Sequence, residues 1–198
     1  MAVQLINQST IARFFGEIDT AFSRSGTIYL VGETSLVLEG LVRFTDRLEF
    51  CSSVDFVDRK AFNLAVVKVA GELGVKASDE FPGEVIPLPE GYAARHRAVI
   101  DDHWLSDIQL KVFHFDPYSV SYRSIARGGE LDYHLVLNYL EQKWILKEEL
   151  IERLELLLPE FSFDTIQQDP AEFRRRMGGL WQMWESLQSP IEDDIPVA

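Results

Sequence analysis

Residues 27–52 read TIYLVGETSLVLEGLVRFTDRLEFCS, and this stretch decides the fold. Thr27 to Val31 is a short β-branched and aromatic run that stops at Gly32, which predicts a buried strand followed by a tight turn. Ser35 to Leu41 then shows a helical pattern, and Thr45 to Ser52 alternates well enough to predict a second strand. The stretch therefore predicts the order strand, glycine turn, helix, strand.

Two longer helices are predicted on either side of this stretch. Ser9 or Thr10 can cap the first, and Gly26 can end it in a left-handed conformation. Asp58 caps the second, which Gly74 closes. Their apolar faces recur at helical spacing and carry Ile11, Phe14, Phe15, Ile18 and Phe22 in the first, and Phe62, Ala65, Val66, Val69 and Leu73 in the second.

The middle of the chain is rich in proline and glycine. Residues 76–97 are predicted to be loop with one short strand near Val85. Val99 to Asp101 and Ile108 to Phe115 are predicted to form a hairpin around His103 to Asp107, because the second arm alternates apolar and polar residues. We expect no strand after this point.

After Pro117 the pattern is helical. The predicted helices are Ser119 to Ala126, Leu131 to Glu141, Lys147 to Leu158, and a last one from Asp169 that places Phe173, Met177, Leu180, Trp181, Trp184 and Leu187 on one side. The tail from Ser189 is acidic. We therefore predict an α+β fold in which residues 1–116 form an α/β core and residues 117–198 form a helical segment packed on it. The two strands of the opening stretch should be neighbours in one mixed sheet, with helices on one side.

Composition limits the possible classes of protein. The 198 residues are 46% hydrophobic and 26% charged, as in ordinary globular proteins. A formal net charge of -13 disfavours a nucleic-acid partner, and a single cysteine, Cys51, excludes an intramolecular disulfide. We expect no membrane association and a cytoplasmic location, because no leader-like segment and no run of about 18 apolar residues occurs.

The opening stretch resembles the start of the nucleotidyltransferase fold, in Tyr29-Leu30-Val31-Gly32 followed by Arg43-Phe44-Thr45. It resembles in particular the small bacterial nucleotidyltransferase-like proteins related to the abortive-infection toxins of toxin–antitoxin systems. Later segments follow in the family's order over roughly residues 26–158; they are Pro89-Glu90-Gly91-Tyr92 with Arg95, Leu110-Lys111-Val112, Asp116-Pro117-Tyr118, and residues 127–132. The resemblance implies a nucleotidyltransferase-like mixed sheet with flanking helices.

The chain departs from this family where the family does its chemistry. In the family the first strand ends in Gly-Gly or Gly-Ser, and two aspartates one residue apart follow the threonine, where they hold divalent metal while the glycine turn exposes N–H groups to a triphosphate. Here Glu33 stands at the second glycine, and alignment on Thr45 places Arg47 and Glu49 at the two aspartates. Arginine keeps its proton and cannot bind a metal ion. Strand alternation turns Asp46 away from Glu49.

The resemblance implies a set of candidate site residues. Glu49 and Arg47 occupy the catalytic positions, and Glu49 is the candidate metal ligand. The candidate cofactor-binding residues are Gly32, Glu33, Thr45 and Arg127. We expect no cofactor, or magnesium if activity survives, with a third acidic ligand from Asp101, Asp102 or Asp107. The family's lysine falls on Ser124, and Arg123, Arg127 and Asp132 are predicted to form a surface ion-pair set.

Further predictions concern the altered cleft itself. Glu33 at a helix N-terminus is placed to occupy the anion site, and Glu33 and Arg47 are placed to form a direct or water-bridged ion pair. The four histidines lack ligand-like spacing and are not assigned to metal. A serine hydrolase is disfavoured by the lack of a Gly-x-Ser-x-Gly motif.

Three functions remain open on this basis. The first is a catalytically impaired protein that acts as a binding or assembly module. The second is an active, metal-dependent nucleotidyltransferase with an altered site, and nucleotide binding stays open. The third is an interaction module whose aromatic C-terminal helix binds a protein partner or a second copy.

Overall fold

The computed structural model describes residues 5–99, 109–161 and 168–188 as an α+β fold. The strands are β1 (Gly26–Leu30), β2 (Leu48–Ser53), β3 (Ala77–Asp79), β4 (Arg97–Ala98) and β5 (Leu110–His114). The helices are α1 (Gln8–Phe22), α2 (Glu33–Leu38), α3 (Arg59–Leu73), α4 (Pro117–Arg127), α5 (Glu130–Glu141), α6 (Lys147–Leu157) and α7 (Pro170–Gln188). Every described element after Asp116 is helical, as predicted.

The strands form one mixed sheet in the order β3-β2-β1-β5-β4. The central strand β1 runs antiparallel to β2 and parallel to β5, so that Leu30 lies opposite both Phe50 and His114. β3 pairs in parallel with β2, and β4 pairs antiparallel with β5. The prediction that the two strands of residues 27–52 are neighbours in one mixed sheet is confirmed.

Helices cover both faces of the sheet. Ile28 and Leu30 of β1 enter a core cluster built with α1 and α3, whereas Val31 and Cys51 enter a second cluster built with α4 to α7. The expectation of helices on one side was wrong. Because the side chains of Tyr29 and Val31 on one face are largely apolar, as those of Ile28 and Leu30 on the other face are, neither face of β1 is suited to contact water.

The end of α1 differs from the prediction. Ser23, with φ 53°, adopts the left-handed conformation, and its N–H donates to the Asp19 carbonyl at 2.8 Å. Its hydroxyl donates to the Thr20 carbonyl at 2.7 Å, which satisfies a second group at this end. Gly26 instead begins β1, where an added Cβ would lie 2.7 Å from Val54 Cγ1. Gly26 therefore serves close packing and not helix termination.

β2 begins three residues later than predicted. Thr45 forms an isolated antiparallel bridge with Ile6, with N–H to carbonyl distances of 2.9 and 3.0 Å. Asp46 and Arg47 form a bend between this bridge and Leu48. Strand alternation therefore does not apply to Asp46, and the argument that turned it away from Glu49 was wrong.

The proline-rich segment contains a strand that the sequence did not indicate. A 3-10 turn, Pro82–Glu84, stands where a strand near Val85 was expected, and the strand of this segment is β3. β3 has only three residues, which are too few to show the alternation of apolar and polar side chains that predicts a strand. β5 matches the second arm of the predicted hairpin, and its partner β4 ends just before Val99. The predicted turn, His103 to Asp107, lies outside the described residues.

Asp116 joins the loop at residues 89–95 to α4. Arg95 donates from Nε to Asp116 Oδ1 at 2.9 Å and from Nη2 to Oδ2 at 3.0 Å, and Asp116 is fully buried. Arg95 also donates to the carbonyls of Pro89 and Glu90. Asp116 caps α4 by accepting from the Ser119 N–H at 3.2 Å. Two segments that carry the family resemblance thus contact each other.

Helix α7 packs against the rest of the protein with the apolar side that the sequence predicted. Phe173, Met177 and Leu180 are buried in the cluster of α4 to α7, and Trp181 and Trp184 are half-buried against the same cluster. Leu187 is exposed, and the tail from Ser189 lies outside the described residues. None of the described helices is long and apolar enough to cross a membrane.

Candidate functional site

A cleft of about 60 Å³ lies between the β1–α2 turn, the start of β2, and helices α4 and α5. All six residues singled out from the sequence line it; they are Gly32, Glu33, Thr45, Arg47, Glu49 and Arg127. Asp46, Arg123, Ser124, Leu131, Asp132 and Leu135 complete the walls. The structure therefore brings together residues that are distant in the sequence.

The glycine turn is in contact with Glu49. Gly32 has φ 64° and ψ -143°, a conformation that residues with a side chain rarely adopt. A Cβ at this position would lie 2.5 Å from Glu49 Oε2. The Gly32 carbonyl accepts a long hydrogen bond of 3.4 Å from Tyr139, whose hydroxyl pKa is raised by burial. The carboxylate of Glu49 thus fills the space in front of the turn.

Glu49 is held by two arginines of α4. Its Oε1 lies 3.1 Å from Arg127 Nη1 and 3.7 Å from Arg123 Nη1. These arginines are four residues apart, so they extend from the same side of the helix. The backbone N–H of Glu49 donates to Thr34 Oγ1 at 2.8 Å, which ties β2 to α2. Glu49 points to the cleft because Leu48 and Phe50 on either side enter the opposite core.

Each arginine has a second carboxylate partner. Arg123 donates to Glu80, just after β3, and Arg127 Nε lies 3.3 Å from Asp132 Oδ1. A hydrogen bond from Ser78, assisted by Arg123, lowers the pKa of Glu80 against the effect of burial. The Arg123 side chain is only 3% exposed. The predicted surface ion-pair set was therefore wrong for Arg123, which is a buried part of the network.

Glu33 is engaged by Thr45. Thr45 Oγ1 donates to Glu33 Oε2 at 3.0 Å and lies 3.2 Å from the Arg47 carbonyl. Burial raises the pKa of Glu33, Thr45 opposes this shift, and the nearby carboxylates of Asp46 and Glu49 raise the pKa further. No described backbone N–H donates to the Glu33 carboxylate. The prediction that Glu33 occupies the anion site of the helix N-terminus was wrong.

Arg47 does not pair directly with Glu33. Its Nε lies 3.3 Å from Asp46 Oδ1, and both side chains are about half exposed. Both Glu33 and Arg47 belong to the described part of the chain, and no direct ion pair joins them. The bend at residues 46–47 explains the difference, because the prediction assumed a continuous strand from Thr45.

The donor set does not fit a divalent cation. Magnesium prefers a near-octahedral shell of oxygens, but the Glu49 carboxylate is already engaged by the guanidinium groups of Arg127 and Arg123. A dication in this cleft would also meet the positive charges of Arg127 and Arg47. In residues 5–99, 109–161 and 168–188, no three His, Cys, Asp or Glu side chains are grouped to hold a metal ion. The candidates for a third ligand, Asp101, Asp102 and Asp107, lie outside these ranges.

No protein-family model, curated protein or solved structure matches this chain. The candidate site therefore rests on its own geometry and on the motif resemblance.

Sequence reasoning missed two contributors to the site. Thr34 and Glu80 have no motif around them, and only the fold brings Glu80 from the edge of the sheet to Arg123. One available signal was the spacing of Arg123 and Arg127, because arginines four residues apart lie on the same side of a helix and can share an acidic partner.

Proposed function

We propose that this chain is a nucleotidyltransferase-fold protein that has lost nucleotidyl transfer and acts by binding another molecule. The observation that carries the proposal is the position of Glu49. It is the one acid at the two positions that the resemblance assigns to metal ligands, and Arg127 and Arg123 hold it against Gly32. An acid in this position supports a structural role in the cleft.

The part of the cleft in front of the glycine turn, where a triphosphate would have to bind, supports the same proposal. A triphosphate in front of the glycine turn would have to displace Glu49 and would lie near Glu33, so like charges would repel. Displacing Glu49 would also leave the buried guanidinium of Arg123 with one partner fewer. Both effects oppose nucleotide binding.

Titration calorimetry tests the proposal. After subtraction of the heat of magnesium chelation in a protein-free titration, we expect no magnesium-dependent binding of any common nucleoside triphosphate at millimolar concentration, and no pyrophosphate release from the same mixtures. The matched variant is Glu33→Gly with Arg47→Asp, which restores the family residues at both positions and should gain weak magnesium binding. Magnesium-dependent binding of a triphosphate by the unaltered chain in the micromolar range would overturn the proposal.

A further inference from the structure

His96 lies where the loop at residues 89–95 meets β4, and it contacts the start of α4. Its Nδ1 accepts a hydrogen bond of 3.1 Å from the backbone N–H of Asp116. A ring nitrogen that accepts a hydrogen bond carries no proton, so the proton of the neutral imidazole is on Nε2. We call the hydrogen bond from Asp116 N–H to His96 Nδ1 the His96 latch.

Aromatic rings pack against His96. The centroid of its imidazole lies 4.3 Å from that of Tyr29 in β1, 4.7 Å from that of Phe115 and 5.9 Å from that of Tyr92. Burial lowers the pKa of His96, because an imidazolium ion would lose part of its hydration there. Tyrosine side chains are uncharged at neutral pH, so these neighbours supply no negative charge that would favour the imidazolium.

Two charged side chains face His96. After burial, which has the largest effect, the Asp116 carboxylate raises the pKa of His96 and the Arg95 guanidinium lowers it. Arg95 binds both carboxylate oxygens of Asp116, at 2.9 and 3.0 Å. The negative charge of Asp116 is therefore largely compensated before it reaches His96, and the pKa of the imidazole stays below its ordinary value.

Protonation of His96 is incompatible with the His96 latch. An imidazolium carries a proton on both nitrogens, so its Nδ1 becomes a donor that faces the N–H donor of Asp116. The hydrogen bond must then break. Because Asp116 is fully buried, its N–H loses the acceptor that it has in the folded structure.

The position of β4 depends on this loop. The two residues that follow His96 form the whole of β4, Arg97–Ala98, which pairs with β5. So short a strand has few hydrogen bonds of its own and opens easily. The loop reaches Asp116 through two side chains, Arg95 to its carboxylate and His96 to its backbone N–H, and protonation of His96 removes the second.

We infer that His96 is a pH-sensitive switch that holds residues 92–98 on the start of α4 at neutral pH and releases them on acidification. Release frees the side of β5 that pairs with β4 and separates the aromatic rings of β1 and the loop. None of residues 92–98 lines the cleft that contains Glu49. The inference therefore goes beyond the proposed function and does not depend on it.

The pH range follows from the direction of the shift. A released His96 has the ordinary pKa of a histidine, about 6.5, whereas the latched imidazole has a lower pKa. The closed loop is therefore fully favoured above about pH 6.5. This contribution is lost as the pH falls from there through the lower pKa of the latched imidazole, because only the released state readily binds a proton.

Nitrogen–proton correlation NMR of the full chain tests the state of the imidazole. At about pH 7.5 we expect the proton of His96 on Nε2 and none on Nδ1. On acidification, His96 should titrate with a pKa below about 6.5. A proton on Nδ1 at neutral pH, or a pKa at or above the ordinary value, would overturn the inference.

Native-state hydrogen exchange measures the release itself. From about pH 7.5 to about pH 5, the protection factor of the Asp116 amide should fall at least about threefold more than that of the Thr10 amide. The Thr10 amide donates to Asn7 Oδ1 at 2.9 Å, an acceptor that does not titrate, so it reports any general loss of stability. Equal changes at the two amides would contradict the release.

Two histidine variants identify the titrating group. His96→Asn keeps an acceptor near the position of Nδ1 and cannot take up a proton, so the pH-dependent difference between the amides should vanish. The matched control is His134→Asn on α5, whose side chain is 52% exposed and which should keep the full difference. A difference that persists in His96→Asn would assign the switch to another group. The NMR and exchange measurements on the unaltered chain decide the inference even if a variant fails to fold.

Discussion

At position 32 two independent constraints exclude a side chain. The backbone there has φ 64° and ψ -143°, and the space for a Cβ is taken by Glu49 Oε2. Gly40 shares only the first constraint, because its φ is 72° but no atom lies within 4 Å of its Cβ position. Substitution of Gly40 therefore introduces backbone strain alone, whereas substitution of Gly32 introduces backbone strain and also displaces the Glu49 carboxylate.

We predict that Gly32→Ala lowers the free energy of unfolding by about 3 kcal/mol or more, and Gly40→Ala by about 1 to 2 kcal/mol. Urea unfolding measures both. Combined with Glu49→Ala, the Gly32 substitution should cost at least about 1 kcal/mol less than the sum of the single changes, since the displaced carboxylate is gone. The Gly40 substitution should be additive with Glu49→Ala. Additivity in both cycles would contradict contact between Gly32 and Glu49.

The raised pKa of Glu33 predicts that the free energy of unfolding depends on pH. Burial raises its pKa above that of the unfolded chain, despite the hydrogen bond from Thr45. An acid of this kind favours the folded state fully below its unfolded pKa of about 4.3, and this contribution is lost as the pH rises through the folded pKa. At neutral pH the ionised Glu33 therefore destabilises the fold.

We expect Glu33→Gln, which keeps an acceptor for Thr45, to be more stable than the unaltered chain at pH 7. The advantage should shrink towards zero as the pH falls to about 3, because Glu33 is then protonated in both states. Urea unfolding at steps between these pH values is the measurement, with Glu72→Gln on the exposed side of α3 as the control. An advantage that does not change with pH would contradict the raised pKa.

That Thr45, Arg47 and Glu49 lie close to the glycine turn was predictable from the sequence, but the partners of their side chains were not. Thr45, Arg47 and Glu49 follow the glycine turn at spacings that the family resemblance identifies. The bend at residues 46–47, however, depends on the bridge between Thr45 and Ile6. No local pattern in the sequence reveals a bridge to the N-terminal segment. The Glu33–Arg47 pair was therefore predicted on the assumption of a strand from Thr45, whereas β2 begins at Leu48.

At the level of elements, the long helices followed from the sequence and the short pieces did not. Helices of 11 or more residues, such as α3 and α5, repeat their apolar face often enough to define a period. β3 and β4 have three and two residues, so no period exists to be read. Pairing with longer neighbours creates these strands, which is a tertiary effect.

The start of α4 gives a prediction at this scale. Asp116 accepts two hydrogen bonds from Arg95 and caps the helix, and it is fully buried. Asp116→Ala would leave the Arg95 guanidinium without its carboxylate, so we expect a loss of about 3 to 5 kcal/mol in the free energy of unfolding. Asn7→Ala removes the cap of α1, which accepts from the Thr10 N–H at 2.9 Å, and should cost about 1 kcal/mol.

Thermal and urea unfolding compare these two caps. Asp116→Asn is the conservative variant; it keeps acceptor oxygen for the helix and should recover part of the loss without restoring the ion pair. Equal effects of Asp116→Ala and Asn7→Ala would show that Arg95 contributes nothing beyond an ordinary helix cap.

For the whole molecule, the sequence indicated the class of fold but not how the sheet is buried. The pairing of β1 with β2 follows from the short helix that connects them in the sequence. The insertion of β1 between β2 and β5 depends on pairing of Gly26 with Leu110, which lies far along the chain. Because that pairing places helices α4 to α7 over Tyr29 and Val31, the cover on the second face could not be derived from local patterns.

The central place of β1 also sets an order of events while the protein is being made. The ribosome delivers β2 soon after β1, but it delivers β5 only after α3, β3 and β4 have emerged. During that interval one side of β1 has no strand beside it, and its free amides and carbonyls are open to pairing with neighbouring nascent chains. Slow translation of residues 54–109 would lengthen this exposure, and a messenger truncated within them would yield a product with a permanently open central strand.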